Sequence, residues 1–251
     1  MHRAAILLAA CLCASAQAPL QNNGKPILLP FECSADDVEA SGLSCPQEEP
    51  CPVYLELSGL ETVGNKIFVS GNIHTPEATL YSLLLASSDG GATWNEPTPR
   101  LRATSLDEIQ FVDYEHGFIS GQALRPLPHD PFFLVSNDGG VTWKQRPIYD
   151  EEHAGSVIQF HFESLENGHL LVDTGSGVRH ELYETMTGGS TWTLRHASAA
   201  PIPFPGAPSR DAADWRLRAD ATAHAYQIER RQEGHWRPAA AFLIDLGACR
   251  Q

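Results

Sequence analysis

Short strand-like runs, in which apolar and polar residues are mixed, recur along most of this chain between Gly, Pro, Asp and Asn. The clearest set occupies residues 108–112, 117–121, 132–136 and 142–146, and such runs between turn residues are typical of strands. No window shows the sustained periodicity of a helix. The pattern therefore predicts an all-β fold of short antiparallel strands.

The turn before the last strand of this set is repeated along the chain. Residues 87–94 read SSDGGATW, residues 136–143 read SNDGGVTW and residues 185–192 read TMTGGSTW. Their tryptophans are spaced by 49 residues in both steps. Four short antiparallel strands repeated at a period of about 40–50 residues are typical of β-propeller blades. Each turn is predicted to join the last two strands of a blade, with glycines at positive φ and the tryptophan starting the outer strand.

A fourth, degenerate copy of the turn occupies residues 230–236, and its tryptophan follows that of the third copy by 44 residues. The sequence therefore predicts a small β-propeller of about four blades. The predicted blades span residues 53–100, 101–149, 150–199 and 210–250, and the strands of the last blade are placed at 214–218, 225–230 and 240–246. A Pro-rich connector at 200–209 precedes that blade. The apolar run 26–33 is predicted to add a strand to the last blade and close the ring, because an open ring leaves unpaired sheet edges.

The pattern Ser-x-Asp-x-Gly-x-Thr-Trp resembles the Asp-box, or BNR repeat, of sialidases, sortilin-type receptors and photosystem II stability/assembly factor-like proteins. The third copy departs from it, with Thr187 in place of the Asp. The resemblance implies a β-propeller in which the repeats lie at the outer edge of the blades, away from the active-site face, and have a structural role. The positions that carry it are Asp89, Gly91, Thr93, Trp94, Asp138, Gly140, Thr142, Trp143, Gly189, Thr191 and Trp192.

The first 18 residues have the three regions of a secretory signal peptide. A short basic start precedes an apolar run at 4–14 and the small-x-small site Ala16-Gln17-Ala18. That run is too short to span a bilayer, which needs about 20 residues. The mature protein is predicted to begin at Pro19 and to be secreted or periplasmic. The alternative is a lipoprotein box ending at Cys11, which would anchor the chain through a lipid.

Removal of the signal peptide leaves four cysteines, an even number that suits an oxidising compartment. Cys45 and Cys51 bracket a short Pro-containing loop within the predicted N-terminal segment, residues 19–52. Cys33 would then pair with Cys249 and join the two ends of the mature chain. The other two pairings stay open, and a zinc site is disfavoured because the Cys-x5-Cys spacing is too long.

The net charge of the chain limits the classes of partner that it is expected to bind. Asp and Glu number 31 against 17 Lys and Arg, for a net charge of −14. This balance argues against binding to nucleic acid or to anionic lipid, because both need clustered positive charge. No cofactor is predicted, since the Gly-Gly pairs precede strands and not the helix of a phosphate-binding loop.

Polar side chains on the innermost strands are the candidate ligand-binding residues, because inner strands line the central channel of a propeller. They could bind a polar ligand or a peptide. In the alternative interpretation they satisfy one another's hydrogen bonds as the plug of a small propeller. The candidates are Glu108, Gln110, Gln159, His161, Arg216 and Arg218.

No catalytic residue is predicted. Sialidase-like catalysis would need an arginine cluster, a Tyr nucleophile beside a Glu, and an Asp acid/base, and the chain does not supply that set in order. The carboxylates at Asp107, Glu108, Asp113 and Glu115 are interpreted as solvated. We therefore expect an exported, non-enzymatic binding or assembly module for a protein, polar or carbohydrate ligand, with a carbohydrate-active glycoside hydrolase as the alternative.

Overall fold

A computed structural model describes residues 18–125, 127–175, 177–206, 214–222, 225–244 and 248–249. Within these ranges the chain is almost entirely β, as predicted, with a single helix. The elements in chain order are β1 (Leu20–Gln21), β2 (Ile27–Leu29), α1 (Ala35–Ser41), β3 (Cys51–Pro52), β4 (Tyr54–Val63), β5 (Lys66–His74), β6 (Thr79–Ser87), β7 (Thr93–Trp94), β8 (Leu101–Arg102), β9 (Thr104–Phe111), β10 (Gly117–Ala123), β11 (His129–Ser136), β12 (Lys144–Pro147), β13 (Ser156–Phe162), β14 (Gly168–Asp173), β15 (His180–Thr185), β16 (Thr193–Ser198), β17 (Trp215–Asp220), β18 (Ala225–Gln232), β19 (His235–Ile244) and β20 (Ala248–Cys249).

The described residues form four sheets of four strands and two small two-stranded sheets, β1-β7 and β20-β3. In chain order their strand orders are β4-β5-β6-β8, β9-β10-β11-β12, β13-β14-β15-β16 and β17-β18-β19-β2. We call them the first to fourth sheets. Consecutive strands pair antiparallel, which is the arrangement of propeller blades. The fold is therefore the predicted small all-β propeller. The predicted signal peptide lies outside the described residues, except for its last residue.

The fourth sheet is completed by the N-terminal segment, since β2 pairs in parallel with the end of β19. The Cys33–Cys249 disulfide, with a Cα–Cα distance of 5.1 Å, fastens the segment after β2 to the C-terminal end. Cys45 and Cys51 form the second disulfide. Both predicted pairings are confirmed. The Cys33–Cys249 bridge follows from the strand pairing that brings the two chain ends together, and the Cys45–Cys51 bridge closes a local loop.

Helix α1 is a feature that the sequence pattern did not predict. Ser34 caps it: the Ser34 hydroxyl accepts from the Asp37 backbone N–H at 3.2 Å, and the Asp37 carboxylate accepts from the Ser34 N–H at 2.9 Å. Asp37 also pairs with Arg102 at 2.9 Å. Burial opposes its ionisation, yet hydrogen bonds from Tyr81 and Ser34 hold the pKa of Asp37 below its usual value. The cap and these contacts fix a helix too short to show periodicity.

The three repeated turns are held by the same hydrogen bonds. In the first, the Asp89 carboxylate accepts from the Thr93 N–H at 2.9 Å and from the Thr93 hydroxyl at 2.7 Å. Asp138 and Thr142 repeat this arrangement. These hydrogen bonds lower the pKa of Asp89 to about 2, with the largest contribution from the Thr93 backbone. In the third turn the Thr187 hydroxyl replaces the carboxylate and accepts from the Thr191 N–H at 2.9 Å.

The Trp94 and Trp143 side chains fold back over their turns, and their indole N–H groups donate to the Gly91 and Gly140 carbonyls at 3.1 Å. After the first turn the strand starts at Thr93, as predicted, but this short strand, β7, pairs with β1. β12 and β16 start one residue after the tryptophans, so the strand starts predicted for the second and third turns are wrong. Burial is complete for Trp94, which is 1% exposed, and partial for Trp143 and Trp192.

Three clusters of buried apolar side chains join neighbouring sheets. The first links the fourth sheet to the first, through Phe242 and Ile228 on one side and Leu57 and Val69 on the other. Another joins the first sheet to the second. The last joins the second sheet to the third, around Phe133. In the part of the chain that the structure describes, no such cluster joins the third sheet to the fourth.

Candidate functional site

The third sheet differs from the first two on the face that points away from the preceding sheet. Phe68 pairs with Glu61 across strands, and Phe118 pairs with Gln110. Both phenylalanines belong to the apolar clusters toward the next sheet. The equivalent pair in the third sheet is His169 with His161. A histidine therefore stands where the first two sheets place the phenylalanine that packs on their neighbour.

The rest of this third-sheet face is mixed in character. His169 lies opposite Glu184 on β15, and the Glu184 carboxylate accepts from Arg195 Nε at 2.6 Å. Two residues along the strands, Leu171 lies opposite Leu182 and is only 5% exposed.

The connector toward the fourth sheet partly covers this face. The His169 ring lies 3.4 Å from the Glu163 carboxylate. A Cβ built on Gly206 of the connector would be 3.2 Å from that carboxylate. The face therefore combines polar and charged side chains with an apolar pair.

The fourth sheet has a charged face opposite the one that packs on the first sheet. Glu229 is only 3% exposed, and its Oε2 accepts from Arg216 Nε at 2.6 Å. Its Oε1 lies 3.4 Å from Nη1 of Arg218. The Arg216 guanidinium also stacks over the Trp236 ring, 4.4 Å from the centroid. The two arginine side chains remain 43% and 53% exposed, so they present positive charge to solvent above a buried carboxylate.

We call these two surfaces the polar end faces, defined by His161, His169 and Glu184 on the third sheet and by Arg216, Arg218 and Glu229 on the fourth. Each sheet packs through its other face on an apolar cluster. The sheets therefore pack on one another in the order fourth, first, second and third. The polar end faces are the two outer surfaces of this series.

Two of the predicted ligand-binding residues instead contact the neighbouring sheet. The Gln110 carboxamide accepts from the Phe162 N–H at 2.7 Å and donates to the Phe162 carbonyl at 2.8 Å. Glu108 Oε2 accepts from the Phe160 N–H at 3.2 Å. These side chains act as pairing partners for the edge of β13, which supports the structural interpretation of those two positions.

The other four predicted residues lie on β13 and β17. Gln159 is opposite Leu171, and His161 lies 3.2 Å from the Gln110 amide nitrogen. Burial lowers the pKa of His161, with Glu163 opposing the shift, which favours a neutral ring. The structure thus groups His161 with Gln110, and separately groups Arg216 with Arg218 through Glu229.

Asp107 was interpreted as solvated from the sequence, and the structure corrects this. Its carboxylate accepts from the Gln122 amide at 2.9 Å and lies 3.3 Å from the Ser105 hydroxyl. Burial raises the pKa of Asp107, and nearby Glu56 adds to the shift. A β-bulge in β9, next to Gly121, changes the direction of the Asp107 side chain. The spacing of residues in the sequence does not reveal such a bulge.

A tyrosine–glutamate pair that the sequence analysis missed lies on β15. The Tyr183 hydroxyl donates to the Glu181 carboxylate at 2.7 Å, and His153 Nε2 lies 3.5 Å from the same oxygen. Burial raises the pKa of Tyr183 to about 12, and the Glu181 contact contributes. Tyr149 stacks on His153 at 3.9 Å. The spacing of two residues places Glu181 and Tyr183 on one face of a strand, which is the signal that could have found the pair.

Among the described residues, no group of three or more His, Cys, Asp or Glu side chains is arranged to hold a metal ion. Nor does any helix in the described ranges have the length and apolar character needed to cross a membrane.

These sheets define the chain as a β-propeller, and comparisons with known proteins add the following. No protein-family model matches the chain, and no curated protein matches it either. Solved structures do match. YCF48 from Cyanidioschyzon merolae is 18% identical, with a TM-score of 0.42 over 75% of this chain and 57% of that one.

The YCF48 structure bound to D1 peptide matches with a TM-score of 0.41 and the same identity, over 78% of this chain and 59% of that one. An α-L-arabinofuranosidase from Fusarium graminearum, Arb93A, matches with 14% identity and a TM-score of 0.39, over 74% of this chain and 58% of that one. The chain thus spans less than two thirds of the length of these propellers.

Proposed function

We propose that this protein is an exported binding or assembly module that engages a polar partner through its polar end faces. The proposal rests on the way the side chains at equivalent positions change from apolar to polar along the series of sheets. Positions that hold Phe68 and Phe118 toward the next sheet hold His169 in the third, and the fourth sheet presents Arg216 and Arg218.

The charged face is preorganised for binding. Glu229 and Trp236 hold the Arg216 guanidinium from two sides, so little side-chain entropy remains to be lost when a ligand arrives. Arginine recognises carboxylates through paired N–H donors and is favoured at interfaces for that reason. The face therefore fits a partner that carries carboxylates, such as an acidic polypeptide or an acidic glycan.

The distribution of charge in the chain supports the same partner chemistry. Residues 210–251 hold seven of the 17 basic residues and only six of the 31 acidic ones. The rest of the chain is strongly acidic, so it repels an acidic partner and directs it to the fourth sheet. Nucleic acid is disfavoured as a partner by the net charge of −14.

Binding to acidic probes tests the proposal. Wild-type protein is titrated with oligoglutamate and with oligogalacturonate, and the R216Q/R218Q variant is compared with it. We expect the double variant to lose at least about tenfold in affinity, with a weaker salt dependence. Arg179→Gln is the matched control, because Arg179 is exposed and pairs with Asp173 on the third sheet, not with Glu229 on the fourth. Equal binding by all three proteins would refute this site.

Export is part of the proposal, and the two disulfides fit an oxidising compartment. The intact mass of the exported protein shows where the chain is cleaved and whether it carries a lipid. A mass that starts at Pro19 supports cleavage after Ala18. A diacylglyceryl mass on Cys11 would instead show a lipid-anchored protein.

A glycoside hydrolase is the second candidate function, and the Tyr183–Glu181 hydrogen bond favours it. A Tyr beside a Glu is one part of the catalytic set of sialidases. Because burial and the Glu181 contact raise the pKa of Tyr183 to about 12, Glu181 would have to accept the Tyr183 proton during the reaction. A screen against sialosides and polysaccharides would detect turnover, and Glu181→Gln should abolish it if this pair is catalytic. Turnover that depends on Glu181 would overturn the non-enzymatic proposal.

A further inference from the structure

The two disulfides meet at one point of the fold. Cys249 on β20 lies directly opposite Cys51 on β3 in an antiparallel pair, although each belongs to a different disulfide. Directly opposite residues of antiparallel strands have Cα atoms about 4.5–5.5 Å apart, which lies within the Cα separation of about 4.4–6.8 Å that a disulfide needs. A bond between Cys51 and Cys249 can therefore form without any change in strand pairing.

The four cysteine residues differ in their exposure to solvent. Cys45 and Cys249 are fully buried and Cys51 is nearly so, at 0%, 0% and 9% exposed. Cys33 is partly exposed and lies at the edge of the apolar cluster. A thiol from solution therefore reaches the Cys33 end of its bridge and not the Cys249 end. The leaving sulfur is then that of Cys249, inside the protein and opposite Cys51.

We propose that the Cys33–Cys249 bridge is a thiol-sensitive modification site, coupled by exchange to the Cys45–Cys51 bridge. The thiolate of a small thiol bonds to the Cys33 sulfur and displaces the Cys249 thiolate. That thiolate attacks the Cys51 sulfur, forms Cys51–Cys249 and displaces the Cys45 thiolate, which takes up a proton. The reactants are two disulfides and one thiol, and the products are also two disulfides and one thiol. No further oxidant or reductant is therefore needed.

The exchange changes which segments are cross-linked. Cys51–Cys249 keeps β20 fastened to β3, while Cys33 is released from the C-terminal end. The segment that contains β2 is then held in the fourth sheet by its parallel pairing with β19, by the hydrogen bond from Asn22 to the Ala239 carbonyl and by apolar contacts. A thiol in the surroundings would thereby loosen the outer strand of the sheet that carries Arg216 and Arg218, and leave the contact between the first and fourth sheets in place.

Peptide mapping of the wild-type protein tests the sequence of steps. The folded protein is incubated with a limiting amount of reduced glutathione, quenched by alkylation and digested without reduction. We expect a peptide that links Cys51 to Cys249, with Cys45 alkylated and Cys33 bonded to glutathione. Alkylation of Cys249 in protein that keeps Cys45–Cys51 intact would overturn the proposal.

Two serine variants provide a matched pair, because each removes the small-loop disulfide but leaves a different thiol. Cys45→Ser leaves Cys51 free opposite Cys249, and we expect most of it to convert to Cys51–Cys249 with Cys33 free. Cys51→Ser leaves Cys45 free, and we expect Cys33–Cys249 to persist. Retention of Cys33–Cys249 in both variants after equilibration with glutathione would overturn the proposal. If the variants do not fold, the peptide map of the wild-type protein tests the proposal by itself.

Discussion

The interface between the second and third sheets and the polar end faces occupy equivalent positions of the repeat, yet they are built from opposite chemistry. The interface places Phe118 against Phe162 in a stacked pair at 3.9 Å, with Phe133 buried beside them. The outward face of the third sheet has His169 at the position of Phe118. A propeller repeat can therefore keep its backbone pattern while an apolar position on one face becomes polar.

Removing the centre of the apolar interface should have the largest effect. Phe133 is fully buried and contacts Phe160, Phe162 and Trp192. Phe133→Ala should lower the free energy of unfolding by about 3–5 kcal/mol, measured by chemical denaturation. His169→Ala on the polar end face should change it by less than about 1 kcal/mol. Similar losses in the two variants would mean that the end face is packed after all.

The tryptophans of the repeated turns should differ in the same way. Trp94 is 1% exposed and meets Phe242 edge to face at 5.0 Å, at the contact between the fourth and first sheets. Trp94→Ala should cost about 3–5 kcal/mol. Trp192→Ala should cost clearly less, because Trp192 is only partly buried. A larger loss at Trp192 would contradict this ranking, and thermal unfolding of both variants measures it.

A reciprocal exchange sharpens the comparison. Phe118→His places an imidazole in the apolar interface and should cost about 2–4 kcal/mol, from lost packing and an unpaired polar group. His169→Phe places a phenylalanine on the polar end face and should leave stability within about 1 kcal/mol of wild type. Strong stabilisation by His169→Phe would show that the third and fourth sheets pack on each other in solution.

The smallest effect concerns the turns, whose contribution should depend on pH. The pKa of Asp89 is lowered from 3.8 to about 2, and that of Asp138 likewise, because both carboxylates accept hydrogen bonds from the turn. Such a group stabilises the fold above its unfolded pKa, and the contribution is lost as pH falls from about 4 through about 2.

Asp89→Asn should therefore flatten the fall of melting temperature in that acidic window, relative to wild type. The third turn serves as the internal control, since Thr187 carries no charge there and Thr187→Ser should leave the slope unchanged. An identical acidic slope in wild type and Asp89→Asn would refute the assignment of the carboxylate.

Local chemistry determined the parts of the structure that repeat. The Gly-Gly pairs require positive φ, which reaches +96° at Gly91, and Asp89 or Thr187 supplies the acceptor that the turn needs. These requirements lie within eight residues, so the sequence predicted the three turns and the all-β class. The predicted fourth copy at 230–236 is wrong, because that turn is a short hairpin between β18 and β19, the second and third strands of their sheet. The terminal run 26–33 and the end-to-end disulfide were also predicted, from apolar character and chain position.

Tertiary structure alone decided which faces of the sheets are packed and where the polar groups lie. Alternation tells which residues share a face of a strand, but the neighbour of that face is set by long-range pairing. His161 and His169 become part of an outer surface only because the third sheet ends the apolar series, and Asp107 becomes buried only because a bulge turns it toward Gln122. The identity of a single residue does not indicate such contacts, because the contacts form between segments that lie tens of residues apart in the chain.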